Sequence, residues 1–241
     1  KMRVVIPEDE KKALTHYAYH IKAGKEIFAA EGAFGQYLIC FRDYPVAIGI
    51  TAGASEYLAA DICLKYIKEA VQIPCEKENL EEAQEKLEEK LVHLTLPKPE
   101  GDKKDTNEAT KKLLNKRIAF TENPRQIESA VISTVGEELK LELTVAGEKK
   151  ILFAGYKDWK CNDMYPNDFT KRYHAVSYAF DEDALYLSVG LLNTSYREEY
   201  CLWVNSENVV VGTWRPNVTY LPAEEDMTWK FTGTFEPSCI L

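Results

Sequence analysis

The sequence predicts an α+β chain: an antiparallel sheet with a packing helix, followed by an all-β barrel or sandwich. Three observations carry that expectation. Residues 15–51 contain short apolar or alternating runs separated by turn signals. Two later stretches, starting near Ser55 and Asn79, repeat apolar residues at helical spacing. From Arg117 onward, strand-length runs recur with Gly, Asn or Asp turns between them.

A chain of 241 residues has room for one large domain or two small ones, each with a core of its own. Apolar residues make up 45% and charged residues 29%, which places the chain among soluble globular proteins. The net charge of -9 argues against a nucleic-acid partner, because phosphate recognition needs clustered Lys and Arg. Acidic solubility is the plain reading of that charge.

Taken in order, the chain opens on a polar lead-in, Pro7 to Lys12. Thr15 to Lys22 alternates and predicts a strand, Ala23-Gly24-Lys25 a hairpin turn, and Glu26 to Ala30 the return strand. That strand runs into Gly32-Ala33-Phe34-Gly35-Gln36-Tyr37, where glycines mark a bend or a close backbone approach. Tyr37 to Phe41 and Val46 to Thr51, joined through Asp43-Tyr44-Pro45, complete the meander. Their near-continuous apolar character predicts a sheet covered on both faces. Ser55 as N-cap, Glu56 in the first turn and a stripe of Leu58, Ile62 and Cys63 predict the helix that packs on it, stopped by Pro74.

Leu80, Ala83, Leu87 and Leu91 predict a further helix from Asn79 to Leu94, read as a solvated linker. Leu96 to Asp105 is rich in proline and charge and marks the clearest domain boundary, with a short helix expected over Thr106 to Asn115. The domains are therefore expected at 1–75, 76–116 (helical linker) and 117–241. In the last of these the expected strands are Arg117–Thr121, Ile127–Val135, Glu138–Val145, Lys149–Phe153, His174–Phe180, Ala184–Leu192, Glu199–Asn205, Val209–Arg215 and Thr228–Phe235.

Several residue groups invite a functional reading. Trp159, Trp203, Trp214, Trp229, Tyr165 and Tyr173 could line a ligand pocket, but aromatics in a barrel read first as core or rim packing. His174 with Asp181 and Asp183 matches no metal-ligand spacing, and His16 with His20 lacks a third ligand. Six cysteines without a CxxC pair argue against zinc or a redox couple and fit a reducing compartment. Cys40 and Cys63 read as small buried hydrophobes. No signal peptide or membrane span is recognisable, so a cytoplasmic location is expected, an exported one staying open if the chain is a fragment.

The strings Tyr17-Ala18-Tyr19 and Glu31-Gly32-Ala33-Phe34-Gly35-Gln36-Tyr37, followed by a strand, a proline turn, a strand and a helix, support a more specific expectation. They resemble the C-terminal end of the serine β-lactamase and penicillin-binding-protein-like hydrolases. That resemblance implies a partial β-lactamase-like fold in which these strands belong to the catalytic sheet. It places Ala30-Glu31-Gly32 at the third active-site box, which is Lys-Thr-Gly in the lactamases. Ala33 would then offer its N–H to an oxyanion hole, with Phe34, Gly35 and Gln36 as cleft wall. Lys22-Ala23-Gly24 is the alternative string for the same box. Leu94-Thr95-Leu96-Pro97, Ala119 to Asn123, Gly155 to Trp159 and Ala184 to Leu187 resemble the β-rich extension that follows the hydrolase domain in some bacterial members.

The chain departs from the family at the nucleophile. Ser-x-x-Lys does not occur, and without a serine and a lysine to take its proton, acyl-enzyme chemistry has no starting point. Tyr165-Pro166-Asn167 and Ser206-Glu207-Asn208 follow the third box rather than precede it. The function implied is the C-terminal portion of a β-lactamase-related serine hydrolase, silent by itself. It would be completed by an N-terminal catalytic segment or a partner chain, with a small acyl substrate and no cofactor or metal. The alternative is a non-catalytic binding or assembly module that pairs with another chain or with its own copy, because a short open sheet exposes an apolar face.

Overall fold

The computed structural model describes residues 16–53, 65–67, 69–70, 80–102, 111–162, 173–181, 183–219 and 227–237. The chain divides into two compact units, Lys1–Leu96 and Pro97–Leu241. The α+β expectation is overturned: strand accounts for 55% of the structure and helix for 11%, arranged as a closed nine-stranded barrel and a separate antiparallel sheet. Strand pairing builds both units, and the helix read as a solvated linker, α1 (Leu80–Val92), buries none of its residues. Leu80, Leu87 and Leu91 are each more than half exposed, so the apolar stripe of this helix covers no sheet. The helix expected from Ser55 falls almost wholly outside the described residues; of its length, Ile67 packs partly buried on the first sheet.

That sheet runs β1 (His16–Ala18), β2 (Ile21–Ala23), β3 (Ile27–Gly32), β4 (Gln36–Phe41) and β5 (Ala47–Ile50), all antiparallel and in chain order. The single strand expected over Thr15 to Lys22 is two strands. Tyr19 and His20 take φ of 51° and 62° and turn the chain, so that Ala18 pairs with Ile21. Two consecutive residues of positive φ suit the twist of a tight hairpin, and period-two alternation cannot tell such a hairpin from one longer strand. The sheet is covered on one face, not both. Ile27, Ala29, Tyr37, Ile39 and Phe41 form its core, whereas Leu38 on the opposite face is 53% exposed.

The barrel consists of β6 (Arg117–Phe120), β7 (Ile127–Val135), β8 (Glu138–Val145), β9 (Glu148–Tyr156), β11 (His174–Asp181), β12 (Ala184–Leu191), β13 (Arg197–Val204), β14 (Val210–Pro216) and β15 (Trp229–Phe235), with the short β10 (Lys160–Asn162) added beside β11. Closure takes two pairings. β15 meets β6 antiparallel, Phe235 opposite Ile118, and β9 meets β11 parallel, Ser177 opposite Gly155. A ring of nine strands cannot alternate direction at every step, so one neighbouring pair must be parallel. It falls where β10 takes the extra antiparallel turn. Closure removes the sheet edges that would otherwise pair with other chains.

Alternate residues point inward, and Ile118, Ile132, Leu139, Val176, Leu185 and Val210 are fully buried there or nearly so. Leu113, from the described remnant of the helix expected at 106–115, also enters this core. Two glycines make room for rings. A Cβ on Gly212 would stand 2.4 Å from the Phe231 ring, and one on Gly233 2.7 Å from Phe120. Phe120 and Phe231 meet edge to face, centroids 5.3 Å apart. A short strap joins β11 near one end of the barrel: Asp102 exchanges backbone hydrogen bonds with Phe180, and the Tyr156 hydroxyl donates to the Gly101 carbonyl at 3.2 Å. Gly101 has φ of 130°, and a Cβ there would collide with the Phe180 carbonyl, so no other residue fits the strap.

Candidate functional site

The opposite end of the barrel, reached by the β6–β7, β8–β9 and β12–β13 connections, is less completely filled. A cavity of about 120 Å³ lies in the lumen, walled by Ile132, Leu141, Leu152, Leu187 and Leu202 and bounded at this end by Arg125, Lys150, His174, Glu198 and Tyr200. Strand alternation puts Glu198, Tyr200 and Leu202 on one inward row of β13.

Arg125 reaches the site from the β6–β7 connection. Asn123 shapes that connection: its side-chain amide donates to the carbonyls of Thr121 and Ile127 at 2.9 and 2.8 Å, and its Oδ1 accepts from the Ile127 N–H at 3.0 Å. Gln126 takes φ of 52°, and its carbonyl accepts from the Ala146 N–H at 3.0 Å. An Asn that bonds the backbone on both sides of it holds the turn without regular secondary structure.

Glu198 is the centre of the polar group. Its side chain is buried, and both oxygens are used. Arg125 Nε lies 3.2 Å from Oε1, and the Tyr200 hydroxyl donates to Oε2 at 2.7 Å. A buried carboxylate persists only when paired in this way. Burial works against the charge of Arg125, but Glu198 and Tyr200 more than offset it, and the guanidinium pKa is raised. Burial, followed by the neighbouring Glu198 charge, pushes the Tyr200 phenol well above its ordinary value. Tyr200 is therefore a hydrogen-bond donor at neutral pH and not a base. On the next residue, burial also raises the Cys201 thiol, which argues against a thiolate nucleophile there.

The residues singled out from the sequence lie in the other unit. Ala30, Glu31 and Gly32 end β3, facing Leu38, Tyr37 and Gln36 across the hairpin. Ala33, Phe34 and Gly35 form its turn, with φ of 63° at Phe34 and 84° at Gly35. Glu31 is drawn into an ion pair with Lys22 and accepts from the Tyr37 hydroxyl at 2.9 Å. The two strings that compete for the third box thus lie on neighbouring strands and neutralise each other. Gln36 donates its side-chain amide to the Ala52 carbonyl.

The remaining candidates separate as well. His174 and Asp181 stand at opposite ends of β11, and among the described residues no three His, Cys, Asp or Glu cluster as metal ligands. His20 sits in the β1–β2 turn against the Tyr17 hydroxyl, 3.0 Å away. Trp214 and Trp229 pack together inside the barrel, centroids 4.8 Å apart, whereas Trp159 lies against Gly190 and Tyr173 is exposed. Tyr165 lies outside the described residues, as do Cys63, Cys75 and Cys239. Cys40 is half-buried and Cys161 exposed. No described helix is long and apolar enough to cross a membrane.

Arg125, Glu198 and Tyr200 escaped the sequence reading. The strand expected from Glu199 leaves Glu198 outside it, whereas the strand starts at Arg197. The signal was present in the inward row Glu198, Tyr200, Leu202 and Val204, an alternation with one acidic residue at its head. No family model matches this chain, and no curated protein matches it.

Proposed function

We propose that this chain is a binding module whose barrel lumen receives one small, mostly apolar molecule with a single polar group. The observation that carries this reading is the apolar cavity ending on the buried Glu198 with its partners Arg125 and Tyr200. At about 120 Å³ it suits one ring or a short alkyl chain. Apolar cavities on the order of 150 Å³ stay dry and take up benzene-sized guests. A guest gains roughly 25 cal/mol for each Å² of apolar surface it buries. Its polar atom can join a network in which Arg125 keeps further N–H donors and the Tyr200 hydroxyl and Glu198 carboxylate keep acceptor lone pairs. Nothing in this set activates a nucleophile: the phenol stays protonated and the carboxylate is held by two donors. Holding a ligand fits this arrangement better than transforming one.

Calorimetric titration of the full chain with hexan-1-ol tests the proposal. Saturable binding is expected, and Ala130→Leu, which extends a buried cavity-lining side chain into the lumen, should abolish it. Equal heats for wild type and variant would sink the reading.

A second reading keeps the implied hydrolase, with this chain as the accessory part of an acyl-transfer enzyme whose serine lies in another segment or chain. Its support is the order of an antiparallel sheet followed by a β-rich domain. Against it stands Glu31, neutralised by Lys22 where the family carries Lys-Thr-Gly. Turnover of nitrocefin or short nitrophenyl esters by this polypeptide itself would contradict the missing-nucleophile argument.

A further inference from the structure

Resting on the lumen reading above, we infer that the Arg125–Glu198 ion pair is a partition across one longer ligand channel, and that Arg125 is the residue that sets how long a linear amphiphile the lumen accepts. A second cavity, of about 220 Å³, also has Arg125 and Glu198 in its walls, beside Leu191, Tyr196, Trp214 and Pro216. Strand register relates the two cavities. On β12, β13 and β14, Leu185, Leu202 and Gly212 stand side by side in one inward layer. Leu187, Tyr200 and Trp214 form the next, and Val189, Glu198 and Pro216 the one after. Leu191 continues the β12 row beyond them. The lumen cavity is walled by Leu187, Val189, Tyr200 and Leu202, and the second by Leu191, Trp214 and Pro216. Glu198 belongs to both. The second cavity is therefore the next storey of the same lumen, and the layer that holds the ion pair divides them.

The two halves of the partition are held differently. Glu198 lies on β13 with its side chain buried, fixed by the Tyr200 hydroxyl at 2.7 Å. Arg125 reaches in from the turn between β6 and β7 and is half-exposed, so shortening it opens the boundary without touching a strand. The outer storey is preformed. The Arg197 N–H donates to Asn217 Oδ1 at 2.8 Å, and the Asn217 N–H donates to the Arg197 carbonyl at 2.9 Å, which anchors the segment that carries Val218 into its wall. Arg125 and Glu198 neutralise each other, so the boundary suits a neutral guest. One layer is two residues, roughly 7 Å along a strand, so a chain must exceed the lumen by several methylenes to fill the outer storey.

Calorimetry of the full-length chain with butan-1-ol, hexan-1-ol, octan-1-ol and decan-1-ol tests this. In the wild type, affinity should rise about fourfold per methylene up to hexan-1-ol and level off beyond it. Arg125→Ala with Glu198→Gln removes both charges together and leaves none unpaired inside; there the rise should continue to decan-1-ol. Arg125→Met with Glu198→Gln keeps the bulk of the partition without its charge and should keep the wild-type plateau. Arg125→Ala by itself is the second opening variant if the double one does not fold, because Glu198 retains the Tyr200 bond. Hexan-1-ol binding with the same length profile in the wild type and the opened variant overturns this inference and leaves the lumen reading standing. A plateau lost equally in the Arg125→Met variant overturns it too, since charge and not side-chain length would then set the limit. No hexan-1-ol binding to the wild type overturns both.

Discussion

The barrel and the five-stranded sheet use strands of similar kind to different ends. Both carry runs such as Leu38-Ile39-Cys40 and Leu185-Tyr186-Leu187, and both connect antiparallel neighbours by tight turns. In the barrel, the pairings of β15 with β6 and β9 with β11 enclose one face completely. In the sheet, β1 and β5 are the edges among the described residues, and one face keeps Phe28 and Leu38 in solvent. The consequence reaches the polar residues. Glu31, at the end of an open sheet, is neutralised by a lysine on the next strand. Glu198, enclosed by closure, is held by a tyrosine and a half-exposed arginine beside an apolar cavity. Closure turns an inward carboxylate into part of a pocket; an open sheet leaves it an ordinary ion pair.

That contrast can be broken by measurement. The largest effect should come from Leu185→Ala, which empties a fully buried position on the barrel axis and should cost about 2–5 kcal/mol. All four tryptophans, Trp159, Trp203, Trp214 and Trp229, belong to the barrel unit, so urea denaturation followed by tryptophan fluorescence reads that unit directly. A loss well below 1 kcal/mol would mean that the barrel core is not where its stability resides. Gly212→Ala should cost about 1–3 kcal/mol by forcing Phe231 and Leu202 apart, seen as a lower denaturation midpoint.

Next in size is a pH effect. The folded pKa of Tyr200 lies above its ordinary value of 10.0, so its contribution is fully present below that pH and is lost as pH rises through the folded value. Thermal melts between neutral pH and strongly alkaline buffer should fall, and Tyr200→Phe should flatten the alkaline part of that fall. An unchanged slope would remove Tyr200 from the account. Smallest is Leu38→Lys on the open sheet, expected within about 0.5 kcal/mol because the side chain is already 53% exposed. A large loss measured by circular dichroism would show that this face is covered after all.

Much of the barrel was legible as local pattern. The expected strands over Ile127–Val135 and Glu138–Val145 match β7 and β8 residue for residue, because alternation and the Gly136 turn are properties of neighbouring residues. The sheet was less legible. Tyr19 and His20 carry no glycine to announce a turn, so one strand was expected where two pair. An apolar run was taken for two-sided burial, although nothing in a strand itself says what lies above it. The pocket was hardest. Arg125, His174 and Glu198 lie on three different connections or strand ends and meet only when the barrel closes.

By itself, then, the sequence determined the all-β character of the second half, the positions of its turns and the inward row of each strand, since these depend on periodicity and backbone preference over a few residues. Only the tertiary structure decided that one face of the sheet stays exposed and that nine strands form a ring. It also decided that Glu198 becomes the buried partner of Arg125 and Tyr200 while Glu31 does not. The physical reason is range. Phe235 finds Ile118, and Gly155 finds Ser177, through hydrogen bonds between distant parts of the chain, and no local pattern specifies which distant edge a strand will meet.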